Sequence, residues 1–151
     1  VCFDDYYKFY FGSGSYVEYD PNIASDSWNQ LEFVSKNNKG DVLGYFKACV
    51  NNKDKIITSF VTLNFSKKPN LIFAKDLRNF FISLFTKFGF RKINFLVIVG
   101  NPIEKNYDKM MEKYGGRIVG IKKEQFEMFG DYYDVKEYEI LKTDYLNSNR
   151  K

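Results

Sequence analysis

Histidine is absent from all 151 residues, and cysteine occurs only twice, as Cys2 and Cys49. Without an imidazole, neither a Ser-His-Asp nor a Cys-His nucleophile system can be assembled, and the commonest metal ligand is missing. Two cysteines are too few for a structural zinc site or a disulfide framework. Cys49 lies in an apolar run and reads as a small buried packing residue, in keeping with a reducing cytosol. Long hydrophobic runs are missing too. The stretch around Phe95–Val99 is far shorter than the ~18 residues that a membrane helix needs. The first eleven residues carry Asp4 and Asp5 and no apolar core, so no signal peptide is read there. The carboxylates do not cluster at ligand spacing, which predicts no metal. Any acid–base chemistry is therefore left to Tyr, Glu, Asp, Lys, a backbone group or water.

Aromatic residues are plentiful at 19%, with 16 Phe and 12 Tyr. A hydrophobic share of 44% and a charged share of 28% belong to a globular chain with a real core, and exclude disorder of the whole. The net charge of +4 is mild; it suits an anionic ligand without demanding one.

The hydrophobic period changes along the chain. Residues 3–11 read as a short aromatic helix, stopped by Gly12-Ser13-Gly14, and residues 15–20 as a weak strand. Residues 28–35, 42–50 and 55–65 read as three strands of an antiparallel meander, separated by turn-forming residues at 36–41 and 51–54. Leu77, Phe80, Phe81, Leu84, Phe85 and Phe88 then fall on one face of an amphipathic helix that Gly89 stops. Residues 91–99 read as a near-continuous apolar strand buried on both faces. A second helix begins near Pro102, presents Ile103, Tyr107, Met110, Met111 and Tyr114 on one face, and ends at Gly115-Gly116. Residues 117–121 and 134–141 read as strands, 122–132 as a connection without assigned structure, and 147–151 as a frayed tail. With no repeat and no linker, the chain reads as one α+β domain spanning residues 1–151. Its helical crossovers require parallel pairing near the centre of the sheet.

Two local signatures sharpen this order. Glu112-Lys113-Tyr114-Gly115-Gly116-Arg117-Ile118-Val119-Gly120 is similar to a helix end and strand start commonly written Tyr-x-Lys-x-Gly-Phe. The run from Gly89 through Val99 to Asn101 is similar to a strand whose end often carries Asn. On these residues the segment 28–141 resembles the GCN5-related N-acetyltransferase (GNAT) superfamily. The resemblance implies a GNAT-like central sheet, mixed but mostly antiparallel, twisted and flanked by helices, with the early helices shortened or absent.

The resemblance also implies an activity: transfer of acetyl from acetyl-coenzyme A, as cosubstrate, to an amine acceptor by direct attack in a ternary complex. No metal is expected to take part. Residues 60–65, with Val61, Thr62 and Leu63, would form a strand splayed from its neighbour around the pantetheine arm, and Asn101 would close the neighbour's end. Residues 67–75 would hold the pyrophosphate on free backbone N–H groups at a helix start. Aligned on Leu77, the family's Gln/Arg-x-x-Gly-x-Gly/Ala loop matches only at Ala74; Ile72 stands at the central Gly and Pro69 at the leading Gln/Arg. Lys67, Lys68, Phe73 and Lys75 complete the expected cofactor set. The usual Tyr acid falls on Met111, so Tyr107, one helical turn earlier on the same face, is the candidate acid. Glu32, pointing opposite to Leu31 and Phe33, is the candidate base, ahead of Glu18 and Asp41.

The acceptor, a small molecule or a protein, stays open, as does a homodimer. A catalytically degenerate GNAT-like binding or structural module is the alternative, favoured if residues 3–11 expose an aromatic patch. Early helices that are absent would leave the acceptor side open. Nucleic-acid binding around Phe88, Phe90, Arg91 and Lys92 is disfavoured, because Phe88 belongs to the helix's apolar face and acidic residues are spread throughout. A cytoplasmic protein with no membrane contact is expected.

Overall fold

The computed structural model describes residues 28–128 and 130–148. The readings for Cys2, residues 3–11, 15–20 and 149–151, Glu18, and the openness of the acceptor side as judged from residues 3–11 lie outside them. Nine elements follow in order: β1 (Gln30–Lys36), β2 (Val42–Asn51), β3 (Ile56–Asn64), α1 (Leu71–Thr86), β4 (Lys92–Ile98), α2 (Glu104–Tyr114), β5 (Arg117–Met128), β6 (Asp131–Leu141) and α3 (Lys142–Ser148). The strands form one six-stranded sheet in the order β1-β2-β3-β4-β6-β5. Every neighbour pair is antiparallel except β3–β4, which is parallel. The mixed, mostly antiparallel α+β sheet and its central parallel pair are those expected from the sequence.

Local chemistry fixes the turns. Asn37 Oδ1 accepts from the N–H groups of Lys39 and Asp41, and Gly40 takes a positive φ of 89°, closing β1 onto β2. Asn51 Oδ1 accepts from Asp54 N–H in the next turn. Gly115, at φ 76°, ends α2 in the left-handed region.

The helices pack on one face of the sheet. Phe46 of β2 stacks on Phe80 of α1, as does Phe60 of β3. Phe95 of β4 meets Phe60, Tyr107 of α2 and Tyr138 of β6. Tyr145 of α3 stacks on Phe85 and leans on Tyr114. Of the predicted helix stripe, Phe80, Phe81, Leu84 and Phe85 are buried, while Leu77 and Phe88 are partly buried at its margin. In β4, Ile93, Phe95, Val97 and Ile98 are buried.

The structure corrects three readings. Residues 122–132, read as a connection without assigned structure, are instead mostly strand: β5 runs on to Met128 and β6 starts at Asp131, with Phe126 opposite Tyr133 and Glu127 opposite Tyr132. β5 is the edge of the sheet, so its residues beyond Ile121 are largely exposed and polar, and the hydrophobic alternation that marks a half-buried strand is missing. A bulge at Glu124, φ 47°, breaks the register further. Of the expected tail, Asn147 and Ser148 are the last residues of helix α3, which buried Tyr145 anchors. Cys49 is half-buried rather than buried.

Gly44 sets how closely α1 approaches the sheet. A Cβ built there would run into the ring of Phe73 and the carbonyl oxygen of Leu63. Gly44→Ala is expected to destabilise the fold by about 2 kcal/mol, the usual size of an overpacked core site, read as a lower urea midpoint with an unchanged slope.

Candidate functional site

β3 and β4 are joined at one end only. Ile56 pairs with Lys92 and Ile57 with Ile93; beyond these, no ladder pair connects the two strands. Each continues, held by its other neighbour: β3 by β2 as far as Asn64, β4 by β6 as far as Ile98. The strands therefore part in the middle of the sheet, and main-chain N–H and C=O groups there lack the ladder that strands normally supply. A cleft of about 750 Å³ opens at the parting.

One strand wall of the cleft is β3, including Val61, Thr62 and Leu63, and the other is Leu96 and Val97 of β4. Asn101 and Tyr107, at and beyond the end of β4, line it as well. Lys67, Lys68 and Ala74 line the end where α1 starts. Phe73 also lines the cleft, through a side chain that is itself buried. The cleft thus gathers most of the cofactor residues expected from the sequence. Ile72 and Lys75 are not among the lining residues; both sit on the exposed side of the first turn of α1.

The start of α1 departs from an open anion cradle. Asn70 is the N-cap, and its Oδ1 accepts from Ile72 N–H at 3.0 Å and Phe73 N–H at 3.1 Å. The donors that a bound anion would use are held by the protein's own side chain. The loop before it is folded on itself: Asn64 Nδ2 and Ser66 Oγ both donate to Lys68 O, and Lys67 takes φ 52°. Asn64, Asn70 and Asn106 line the cleft without having been singled out in the sequence. Asn70 was legible as a cap just before an apolar helix. Asn106 and Met110 join Ile103 and Tyr107 in lining the cleft; Met110 was read as part of the apolar face of this helix, and Asn106 carried no signal.

Tyr107 is 5% exposed, its ring against Phe95 and its hydroxyl 3.3 Å from Thr62 Oγ1. Burial pushes its phenol up to about 12, tempered by the Thr62 hydroxyl, so the group is protonated at neutral pH. Met111, at the family's usual Tyr position, is buried core, and so is Tyr114.

Behind Tyr107 a polar network ties α2 to β6. Lys136 is 9% exposed, pairs with Glu104, and lies 3.2 Å from both carboxylate oxygens of Asp108. Tyr138 Oη donates to Asp108 at 2.7 Å. Burial alone would raise the Glu104 carboxyl, but bonds from Lys136 and Gly100 N–H hold it below its ordinary value. Burial and Asp108 together push the Tyr138 phenol well up.

Glu32 lies on the other face of the sheet. It accepts from Tyr45 Oη at 2.7 Å and is 3.8 Å from Lys47 Nζ, with its side chain 3% exposed. It does not line the cleft. Asp41 is an exposed turn residue bonded to Asn37. Among the described residues, no three His, Cys, Asp or Glu side chains gather to hold a metal ion, and no helix is long and apolar enough to cross a membrane.

No protein-family model matches the chain, and no curated protein matches it. Solved structures do. The spermidine/spermine N-acetyltransferase SpeG from Vibrio cholerae, in complex with manganese ions, is 25% identical at a TM-score of 0.67, covering 80% of this chain and 69% of SpeG. The spermidine N-acetyltransferase from Vibrio cholerae in complex with CoA and spermine is 26% identical at 0.66, covering 80% and 70%. A SpeG chimera of the Vibrio cholerae and hSSAT proteins is 25% identical at 0.68, covering 80% and 71%. These are GNAT proteins, and the six-stranded sheet with its three flanking helices is their fold.

The carboxylates of the described fold set its acid limit. Glu139 is held below its ordinary value by the bond from Lys92, against burial, and by Arg117; Glu104 is lowered by Lys136 and Gly100. Lowered carboxyls contribute stability that is present above about pH 4.5 and lost as pH falls through their folded values. The urea midpoint should hold between about pH 7 and pH 5.5 and fall below about pH 4.5. In Glu139→Gln the midpoint is expected to start lower at pH 7 and to fall less steeply in acid.

Proposed function

We propose that this chain, a divergent member of the GNAT superfamily, is an N-acetyltransferase that moves acetyl from acetyl-coenzyme A to an amine. The observation that carries this reading is the parting of β3 and β4 after two pairs, over a cleft bounded by the start of α1 and by Tyr107. An extended, amide-bearing arm fits such a parting, because its amides can replace the missing ladder. The CoA and spermine complex of a structural neighbour supports a coenzyme A thioester and an amine as the two substrates.

The chemistry follows from the residues. The neutral amine attacks the thioester carbon, and the carbonyl pair moves to oxygen. A β3 N–H, freed by the parting, steadies that oxyanion. The amine sheds its proton, the C–S bond breaks, and sulfur leaves with the bonding pair and takes a proton from Tyr107 or from water. Glu32 is engaged by Tyr45 and Lys47, which supports water rather than Glu32 as the amine's proton acceptor. Lys67 and Lys68 supply positive charge beside the helix start, where Ala74 admits the pyrophosphate. Residues 1–151 act as one unit in this reading, in a reducing cytosol, which the low cysteine count suits.

A specific observation favours a second reading, a GNAT-like module without catalysis: the Ile72 and Phe73 amides are already taken by Asn70. Calorimetric titration with acetyl-coenzyme A and coenzyme A separates the two. Binding on the order of micromolar, about −8 kcal/mol, is expected, followed by transfer to spermine or another amine; no binding by either ligand overturns the enzyme reading in favour of the module. Asn70→Gly keeps an acceptable cap residue and frees both amides. It should tighten coenzyme A binding about threefold, whereas Ala74→Glu should weaken it by at least about tenfold.

A further inference from the structure

We infer that Thr62 is a positioning residue for acetyl transfer: from β3 its hydroxyl holds the Tyr107 phenol of α2 across the cleft and turns the phenol O–H towards the leaving sulfur. The inference rests on the acetyltransferase reading above and adds to it a residue whose side chain has no other assigned role.

Thr62 stands opposite Phe46 in the β2–β3 register, so it projects to the helix-bearing face. Phe60, Phe46 and Phe95 make that face aromatic, and Thr62 brings a hydroxyl to it. Thr62 Oγ1 meets Tyr107 Oη at 3.3 Å, with either able to donate. Both residues line the cleft, one on the strand that parts and one on the helix that follows β4. Among the described residues Thr62 is the side chain that bonds the Tyr107 hydroxyl. A phenol has one proton to give. If Tyr107 gives it to sulfur, its oxygen needs a donor, and Thr62 is placed to be that donor. When the C–S bond breaks, sulfur takes the pair and the Tyr107 proton; the phenolate then accepts the Thr62 O–H and is reprotonated from solvent, while water carries off the amine's proton.

The direction of the Tyr107 shift agrees, since burial raises it and the Thr62 bond lowers it. The ionisable group beside the phenol is Tyr138 from β6, whose own O–H is turned to Asp108, with Lys136 and Glu104 beyond; Lys67 and Lys68, from the loop before α1, line the same cleft.

The test compares wild type, Thr62→Val, Thr62→Ser, Tyr107→Phe and the Thr62→Val/Tyr107→Phe double variant. Turnover on acetyl-coenzyme A and a saturating amine is one readout. The other is the affinity of coenzyme A relative to acetyl-coenzyme A between pH 6 and pH 9, because only the free thiol titrates there. Thr62→Val should lower kcat about tenfold with KM for acetyl-coenzyme A within about twofold, Thr62→Ser should retain most of the rate, and Thr62→Val should add nothing to Tyr107→Phe. In wild type and Thr62→Ser the relative affinity of coenzyme A should rise with pH as the bound thiolate gains a donor; in Thr62→Val and Tyr107→Phe the rise should be blunted. A Thr62→Val protein with wild-type kcat and pH dependence overturns the inference and leaves the acetyltransferase reading standing. Equal losses in the Val and Ser variants mean packing and also overturn it. Failure of every protein, wild type included, to bind coenzyme A removes both readings together.

Discussion

The chain's functional possibilities hang on one short parallel contact. Ile56 and Ile57 bond to Lys92 and Ile93, and β3 and β4 then separate although each remains bonded on its far side. A parallel pair needs a crossover, and α1 is that crossover, so the helix start is delivered to the cleft by the same connection that creates the pair. Aromatic side chains beneath the parting support it. Phe60 and Phe95 stay 6.1 Å apart on the two strands while Tyr107 fills the space further along. The sheet thereby keeps unladdered backbone groups at its centre rather than at an edge, where they serve a ligand better than a neighbouring chain.

Polar and close-packed contacts then hold the lips of the cleft in place. Gly44 lets Phe73 of α1 sit directly on the β2–β3 surface. On the other lip, Lys136 joins β6 to Glu104 and Asp108 of α2. Such a nearly buried cation adds little net stability over an apolar residue, but losing one partner leaves a charge stranded, so it enforces one seating of the helix. Tyr107 projects from the same helix, one residue before Asp108. Its position in the cleft is set as much by that ion network as by its own contacts with Phe95 and Thr62.

Much of this was legible in the sequence where burial imposes a period. The stripe from Leu77 to Phe88 gave α1, the apolar run near Phe95 gave β4, and the 103–114 pattern gave α2, including the Tyr107 that lines the cleft. What was not legible lacks such a period. β5 is an edge strand with a bulge at Glu124, so solvent, not a core, chose its residues. α3 is short and held by one buried side chain, Tyr145. Glu32 sat correctly opposite Leu31 and Phe33, but a strand pattern gives the face and not the partner; Tyr45 and Lys47 decide what its carboxylate does. Thr62 was read only as part of the splayed strand; the role of its hydroxyl was not legible, because its partner Tyr107 is 45 positions away.

The absence of glycine from the loop before α1 has a physical reading that differs from simple degeneration. Glycines in such loops let the backbone come close to phosphates, and here Ile72 stands where one is expected. The donors are nonetheless present, since the Ile72 and Phe73 amides point at an acceptor 3.0 and 3.1 Å away; that acceptor is Asn70 Oδ1. A neutral amide oxygen on a backbone N–H is worth about 1 kcal/mol, and an anionic acceptor about 1.5–3 kcal/mol. With two such bonds exchanged at once, the difference is about 1–4 kcal/mol in favour of the anion, roughly fivefold to nearly a thousandfold in affinity. A pyrophosphate flanked by Lys67 and Lys68 can therefore displace the cap, whereas a neutral ligand gains nothing by doing so. On the acetyltransferase reading proposed above, the cap would hold α1 in the free protein and yield its donors to a charged ligand, so that competition with Asn70 would supply the anion preference that glycine geometry supplies in the Gln/Arg-x-x-Gly-x-Gly/Ala pattern.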